Sequence, residues 1–236
     1  MDNPKMGLSA FALKIIAIIT MTFCHIAQAF GTSMPIYLQL PLYAVGGLTF
    51  PIMAYLMIEG YKKTSNVKKY MMRLLFFGLI ALVPYVLASG RIALNILFTF
   101  LFGLICLYLH DKMKNKTAFW FCFAGITIFT IFCDWAVVGV PMILMFGIIK
   151  KPKLRIILPI IITSLVMTLS TILMNDGGGI ELLLSVGFNV VVLCSIPLLQ
   201  AYNGKRGYSP RSLRYLFYVY YPAHLIVIAV IKLLLP

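Results

Sequence analysis

The chain has 236 residues, 62% of them apolar and 11% charged, with a mean hydropathy of +1.00. A soluble domain carries about 25% charged and 45–50% apolar residues, and here 20 Lys and Arg against 6 Asp and Glu leave a formal charge of +14. This composition excludes disorder, a secreted disulfide scaffold and an ordinary water-soluble domain. A polytopic, all-α membrane helix bundle remains.

A spanning helix needs roughly 17–25 mostly apolar residues. On that rule the chain predicts segments near 8–31, 36–61, 70–89, 92–110, 118–133, 134–150, 156–174, 180–202 and 213–235. That makes about nine transmembrane helices. The fifth and sixth are short enough for a tilted pair or a re-entrant break at Cys133-Asp134-Trp135. Ala27-Gln28-Ala29 in the first segment resembles a signal-peptidase site. A long apolar run with Lys14 inside it argues for a retained helix instead. With no stretch left over for a soluble domain, residues 1–236 are expected to form a single integral-membrane domain.

Orientation follows from the basic loops. Lys62, Lys63, Lys68, Lys69 and Arg73 follow the second segment, and Lys112, Lys114 and Lys116 the fourth. Lys150, Lys151, Lys153 and Arg155 follow the sixth, and Lys205, Arg206, Arg211 and Arg214 the eighth. All of these fall on one side of an alternating path, with Lys5 and Lys14, while Arg91 and Lys232 fall on the other. Lys and Arg concentrate in cytoplasmic loops, so the N-terminus is expected inside and the C-terminus outside. The same basic face suits anionic headgroups or a phosphorylated cytoplasmic ligand. Nucleic acid is not indicated, because the charges sit in short loops with no groove-entering element.

Polar groups inside spans are expensive and mark function. His25 lies in the outer part of the first segment, and Glu59 near the inner end of the second, within reach of neighbouring lysines. Asn95 and Thr99 share a face of the fourth. Asp134 stands at the outer end of the short pair, and His224 near mid-depth of the last segment after Tyr215, Tyr218, Tyr220 and Tyr221. A satisfied structural histidine, interfacial tyrosines and helix–helix hydrogen bonds are the plain alternatives. His110 reads as structural at a helix end, and Asn175-Asp176-Gly177-Gly178-Gly179 as an external turn. The five cysteines lack metal or disulfide spacing and read as small buried hydrophobes. No metal site is expected.

Leu13-Lys14-Ile15-Ile16-Ala17, leading to Met21 and His25, resembles the opening of the TraX family. So does Leu48-Thr49-Phe50-Pro51-Ile52-Met53-Ala54, continuing to Glu59-Gly60-Tyr61, Lys69-Tyr70 and Arg73-Leu74. Asn95-Ile96-Leu97-Phe98-Thr99 with Gly103-Leu104 is similar to its fourth-helix motif, and Asp134-Trp135 with Gly139 to its sixth-helix start. Tyr202-Asn203-Gly204-Lys205-Arg206-Gly207, then Phe217-Tyr218, Tyr221-Pro222 and His224-Leu225, resemble its closing block.

The resemblance implies a multi-pass acetyltransferase of the bacterial inner membrane, within the wider group of transmembrane acyltransferases. It would take acetyl-CoA from the cytosol and deliver the acetyl group to the N-terminal amine of an exported peptide or pilin, or to a sugar. It implies His25 first and His224 second as general base or nucleophile, and Asn95 as the group that orients a histidine or polarises the thioester. Asp134, Tyr218, Tyr221, Glu59 and Thr99 would shape the site. Asn203, Lys205, Arg206 and Arg73 would contact the CoA phosphates. The sequence departs from the family pattern at Cys24, where an acidic residue is usual, at Gly47, where an arginine is common, and at Leu82, within a stretch that usually reads Ser-Glu-x-Pro. Joint loss of these groups keeps burial costs balanced. It leaves the alternative of an inactive relative acting as a membrane chaperone or assembly factor for an exported peptide or pilin. A transporter is a weaker alternative, because no pair of interrupted segments is apparent in corresponding halves.

Overall fold

The computed structural model describes residues 7–174, 179–208 and 210–234. Eleven α-helices run along the described chain, with short 3-10 turns between some of them. They are α1 (Ala10–Phe30), α2 (Ile36–Ala44), α3 (Thr49–Lys63), α4 (Val67–Ser89), α5 (Ile96–Lys112) and α6 (Lys116–Phe129). The rest are α7 (Ala136–Ile148), α8 (Pro152–Met174), α9 (Ile180–Leu193), α10 (Ser195–Gln200) and α11 (Arg211–Leu234). Six helical stretches, Ala10–Ser33, Ile36–Lys63, Val67–Ser89, Pro152–Met174, Ile180–Gln200 and Leu216–Leu234, are long and apolar enough to cross a membrane. Lys116–Phe132 and Ala136–Ile148 are shorter apolar helices, as expected for the pair flanking Asp134. Residues 175–178 of the turn expected at Asn175–Gly179 and the side chains of Arg211, Arg214 and Tyr215 lie outside the described residues, as does Lys5.

Each predicted segment has a helical counterpart, and the boundaries move for local reasons. Ser9, Asn66, Asn95 and Asn115 accept from the amides of Ala12, Lys69, Leu97 and Ala118, so α1, α4, α5 and α6 begin just after these caps. The predicted fourth helix therefore starts at Ile96 rather than at 92, and Leu94 forms a bridge with Cys133 instead. Gly90, in the left-handed region at φ 70°, closes α4.

Two segments are interrupted. A 3-10 turn at Val45–Leu48 separates α2 from α3, and Cys194 separates α9 from α10. At the first break a Cβ on Gly46 would lie 2.5 Å from Cys24 Sγ, and one on Gly47 would lie 2.5 Å from the Phe188 carbonyl oxygen and 3.0 Å from the Val192 amide. Glycine lets backbone approach backbone here. Gly47→Ala is expected to destabilise the protein by roughly 1–3 kcal/mol through overpacking, read as a lower thermal midpoint in detergent. An unchanged midpoint would show that α9 yields at this point.

The chain divides into two compact units. One comprises Met1–Leu56 and Ile156–Phe217, the other Met57–Arg155 and Tyr218–Pro236. In the first, α1 and α9 pack against α2 and against the Val45–Leu48 turn. In the second, α5 packs against α4, α6 and α7. Nearly every residue of α5 from Ile96 to Leu107 is buried, the mark of a helix apolar all round at the centre of its unit. On α4, Phe76, Leu79, Val83 and Leu87 are exposed at helical spacing, a face suited to lipid.

Candidate functional site

The second unit gathers several of the predicted residues around the first turn of α5. Asn95 and Thr99 are fully buried. Asn95 donates from Nδ2 to the Gly78 carbonyl at 2.8 Å and accepts at Oδ1 from the Leu97 amide at 3.1 Å. It thus joins α4 to the start of α5. Thr99 donates to the Asp134 carbonyl, the Asp134 amide donates to the Leu94 carbonyl at 2.8 Å, and the Leu94 amide donates to the Phe132 carbonyl at 2.8 Å.

These bonds pin a strained turn. Trp135 and Ala136 both have positive φ, 63° and 34°, a region costly for residues with a Cβ and kept where surrounding structure enforces it. No residue-type signal revealed this strain, because neither residue is Gly, Asn or Asp. The half-buried Asp134 side chain sits in the turn and accepts from the Trp135 amide at 3.1 Å. Burial pushes its carboxyl up to about 6, while the Arg91 charge and the Trp135 amide act in the opposite direction.

That shift has a sign. Between about pH 4 and 6 the folded protein holds a proton that the unfolded chain has lost, so Asp134 makes stability fall as pH rises through that window. Asp134→Asn is expected to flatten this part of the profile and to leave the variant relatively more stable at pH 7. Thermal midpoints at pH 4 and pH 7 check it; the same difference in both proteins would remove Asp134 as the source.

Tyr221 is buried near the Ile96 amide, within electrostatic range of Asp134 and Tyr85. One turn further, His224 is buried with 7% of its surface exposed. Its Nδ1 lies 2.9 Å from the Tyr220 carbonyl. A carbonyl only accepts, so Nδ1 carries the proton and Nε2 is the basic nitrogen of the neutral ring. The imidazole stacks on Tyr220 at 5.1 Å and meets Tyr221 edge-on at 5.6 Å. Pro222 between them has no amide to offer the Tyr218 carbonyl. Asn95, Thr99, Asp134, Tyr221 and His224 thus occupy one unit.

His25 lies in the other unit, on α1, 8% exposed, next to buried Cys24. Gln28 donates to Cys24 Sγ at 3.7 Å, and Thr20 and Thr49 share a hydrogen bond of 3.0 Å one turn before. Ser164 donates to the Asn189 carbonyl at 2.7 Å, while the Asn189 amide reaches Thr171 at 3.4 Å. A shallow cleft beside them is lined by Ser170, Thr171, Met174 and Ser185; neither histidine lines it. None of these α8 and α9 hydroxyls stood out in the sequence, because a lone Ser or Thr in a span usually bonds its own helix.

Glu59 is held in an ion pair. Arg155 Nη2 lies 3.0 Å from one of its oxygens and Lys63 Nζ 3.8 Å from the other, and Arg155 Nε donates to the Phe146 carbonyl at 2.6 Å. The neighbouring lysine thus shares Glu59 with an arginine far along the chain. Tyr61 donates to Asp111 at 2.7 Å, and His110 lies 3.3 Å from the same carboxylate. Three of the five cysteines are buried, and Cys122 and Cys194 are exposed. No cluster of His, Cys, Asp and Glu suited to a metal ion occurs among the described residues.

The Asn203–Gly207 loop has a definite structural task. The Lys205 and Arg206 carbonyls accept from the Ala10 and Phe11 amides, the Ala201 carbonyl accepts from Leu8, and Asn203 Nδ2 donates to the Gly7 carbonyl at 3.0 Å. The loop therefore satisfies the open amides of α1. Gly204 and Gly207 take left-handed φ values of 77° and 71°, and a Cβ on Gly207 would meet Ser9 Oγ at 2.5 Å. With the backbone so engaged, the Lys205 and Arg206 side chains remain exposed. Lys14 lies 4.9 Å from the Phe217 ring centroid, within electrostatic range of Arg206.

Spanning-length apolar helices with polar groups gathered inside each unit define a multi-pass membrane protein. The family described as TraX protein matches residues 9–232, and the chain belongs to that family. It is similar to a protein of Dichelobacter nodosus described as "Probable fimbrial assembly protein FimC, serogroup H1", at 28% identity over 248 residues covering 96% of this chain and 97% of that protein. No solved structure matches it.

Proposed function

We propose that this TraX protein is an inner-membrane acetyltransferase serving pilus or fimbrial assembly, transferring acetyl from cytoplasmic acetyl-CoA to the N-terminal amine of an exported subunit. The observation that carries the reading is His224: a buried neutral imidazole with its tautomer set by Tyr220, edge-on to Tyr221, which lies within electrostatic range of Asp134. Nε2 takes the proton as the amine attacks the thioester carbonyl. The N–C bond forms, the C–S bond breaks, and the same proton passes to the departing CoA thiolate. Asp134 gives the incoming ammonium a counter-charge and accepts the proton it sheds to become the free amine; Thr99 holds the Asp134 turn against α5, whose start Asn95 caps and ties to α4. The exposed Lys205 and Arg206 side chains suit the CoA phosphates. His25 remains a second candidate base.

The assembly-factor reading has its own support. Cys24 and Gly47 are tightly packed where the family resemblance leads one to expect charged groups, and the fimbrial relative's description names assembly. Purified protein in nanodiscs, given acetyl-CoA and a peptide with the subunit's N-terminus, distinguishes the two. An acetyl increment in the peptide's intact mass supports the enzyme. Peptide binding without any increment or any acetyl-CoA binding supports the assembly factor.

A further inference from the structure

Arg73 lies in α4 six residues beyond Val67, about 9 Å along the helix from its start at 1.5 Å per residue. Its guanidinium carbon is 5.4 Å from the Tyr70 ring centroid and 5.7 Å from that of Tyr218, and Tyr218 in turn stacks on Phe77 at 5.4 Å. Two aromatic faces thus fix the plane of the fork. The Arg73 Nε is buried and has no hydrogen-bond partner among the described residues. An arginine donor kept from both water and acceptor is costly, since charged groups at this depth are normally paired.

No carboxylate among the described residues answers this charge. Glu59 is taken by Arg155 and Lys63, and Asp111 stands with Tyr61 and His110. Asp134 belongs to the turn before α7, next to Arg91 in charge terms, and Glu181 opens α9 in the other unit. Lys69, one turn before Arg73 on the same helix face, and Lys68 are exposed. Arg73 therefore stands beyond a cationic rim, and the Tyr218 phenol beside it, which accepts from the Tyr70 hydroxyl, keeps its own proton as a further donor.

We infer that Arg73, clasped between Tyr70 and Tyr218, is an anion site that takes a phosphate ester group at the lysine-rich end of α4. Two sources carry that chemistry, the phosphates of CoA and the headgroup of an anionic phospholipid. Where CoA is the source, the inference rests on the acetyl-CoA reading above; the lipid source is independent of it.

Binding, not transfer, tests it. The wild type, Arg73→Gln and the loop control Lys114→Gln are placed in phosphatidylcholine nanodiscs and titrated with CoA by calorimetry. The same proteins are taken from mixed phosphatidylcholine and phosphatidylglycerol nanodiscs, and the lipid they retain is read by native mass spectrometry. A tenfold or greater loss of CoA affinity in Arg73→Gln alone assigns the site to CoA. Unchanged CoA binding with loss of retained phosphatidylglycerol in Arg73→Gln alone assigns it to lipid. Equal behaviour of all three proteins in both arms overturns the site. If Arg73→Gln does not fold, Arg73→Lys keeps charge and stem but not the fork; a severalfold loss in either arm supports the site, and wild-type binding in both overturns it.

Discussion

Replacing His224 by alanine is expected to reduce acetyl transfer to a peptide amine at least a hundredfold, the low end of what a positioned general base contributes. The thermal midpoint should move by only a few degrees, because His224 Nδ1 bonds a carbonyl of its own helix. The pH profile separates a chemical role from a packing one. Wild-type turnover should fall on the acid side as imidazole gains its proton, and residual activity in the variant should lose that limb. If His224→Ala keeps a third or more of wild-type activity, His224 is not the base. The same measurement on His25→Ala then decides whether the histidine of the first unit carries the chemistry.

The largest stability effect is expected at Asn95. Asn95→Ala removes the acceptor that caps α5 at Leu97 and the donor to Gly78, both in a fully buried position. A lost cap costs about 1 kcal/mol, and an unmade buried hydrogen bond in a membrane protein costs about 1–2 kcal/mol. The sum is about 2–3 kcal/mol, measurable as unfolding free energy in bicelles. Asn95→Asp keeps the cap but turns an acceptor toward the Gly78 carbonyl, and is expected to be no more stable than the alanine variant. A change below about 1 kcal/mol for Asn95→Ala would show that water or a neighbour replaces both bonds.

Much of the architecture was legible because the solvent is hydrocarbon. A helix in lipid satisfies its own backbone, so long apolar runs between lysine clusters become helices whatever their neighbours are. The capping residues Ser9, Asn66 and Asn115 are also local signals, readable from type and place. The breaks at Val45–Leu48 and Cys194 were not legible as breaks. Gly46 and Gly47 are tolerated within many helices, and what singles them out is the Cys24 side chain and the Phe188 carbonyl against them. Nor could sequence show Arg155 as the main partner of Glu59, since 96 residues separate them.

The candidate site divides in the same way. Composition and charge alone determined that this chain is a multi-pass helical protein with rare polar groups inside its spans, because burying charge in lipid is costly enough to leave a trace at every position. Tertiary structure decided what those groups do. It turned Asn95 into a cap tied to α4, pinned Asp134 in a strained turn, set the tautomer of His224 and spent the Asn203–Gly207 backbone on α1. Hydrogen bonding is short-ranged and directional, so the role of a polar residue depends on which distant backbone the fold brings within 3 Å of it.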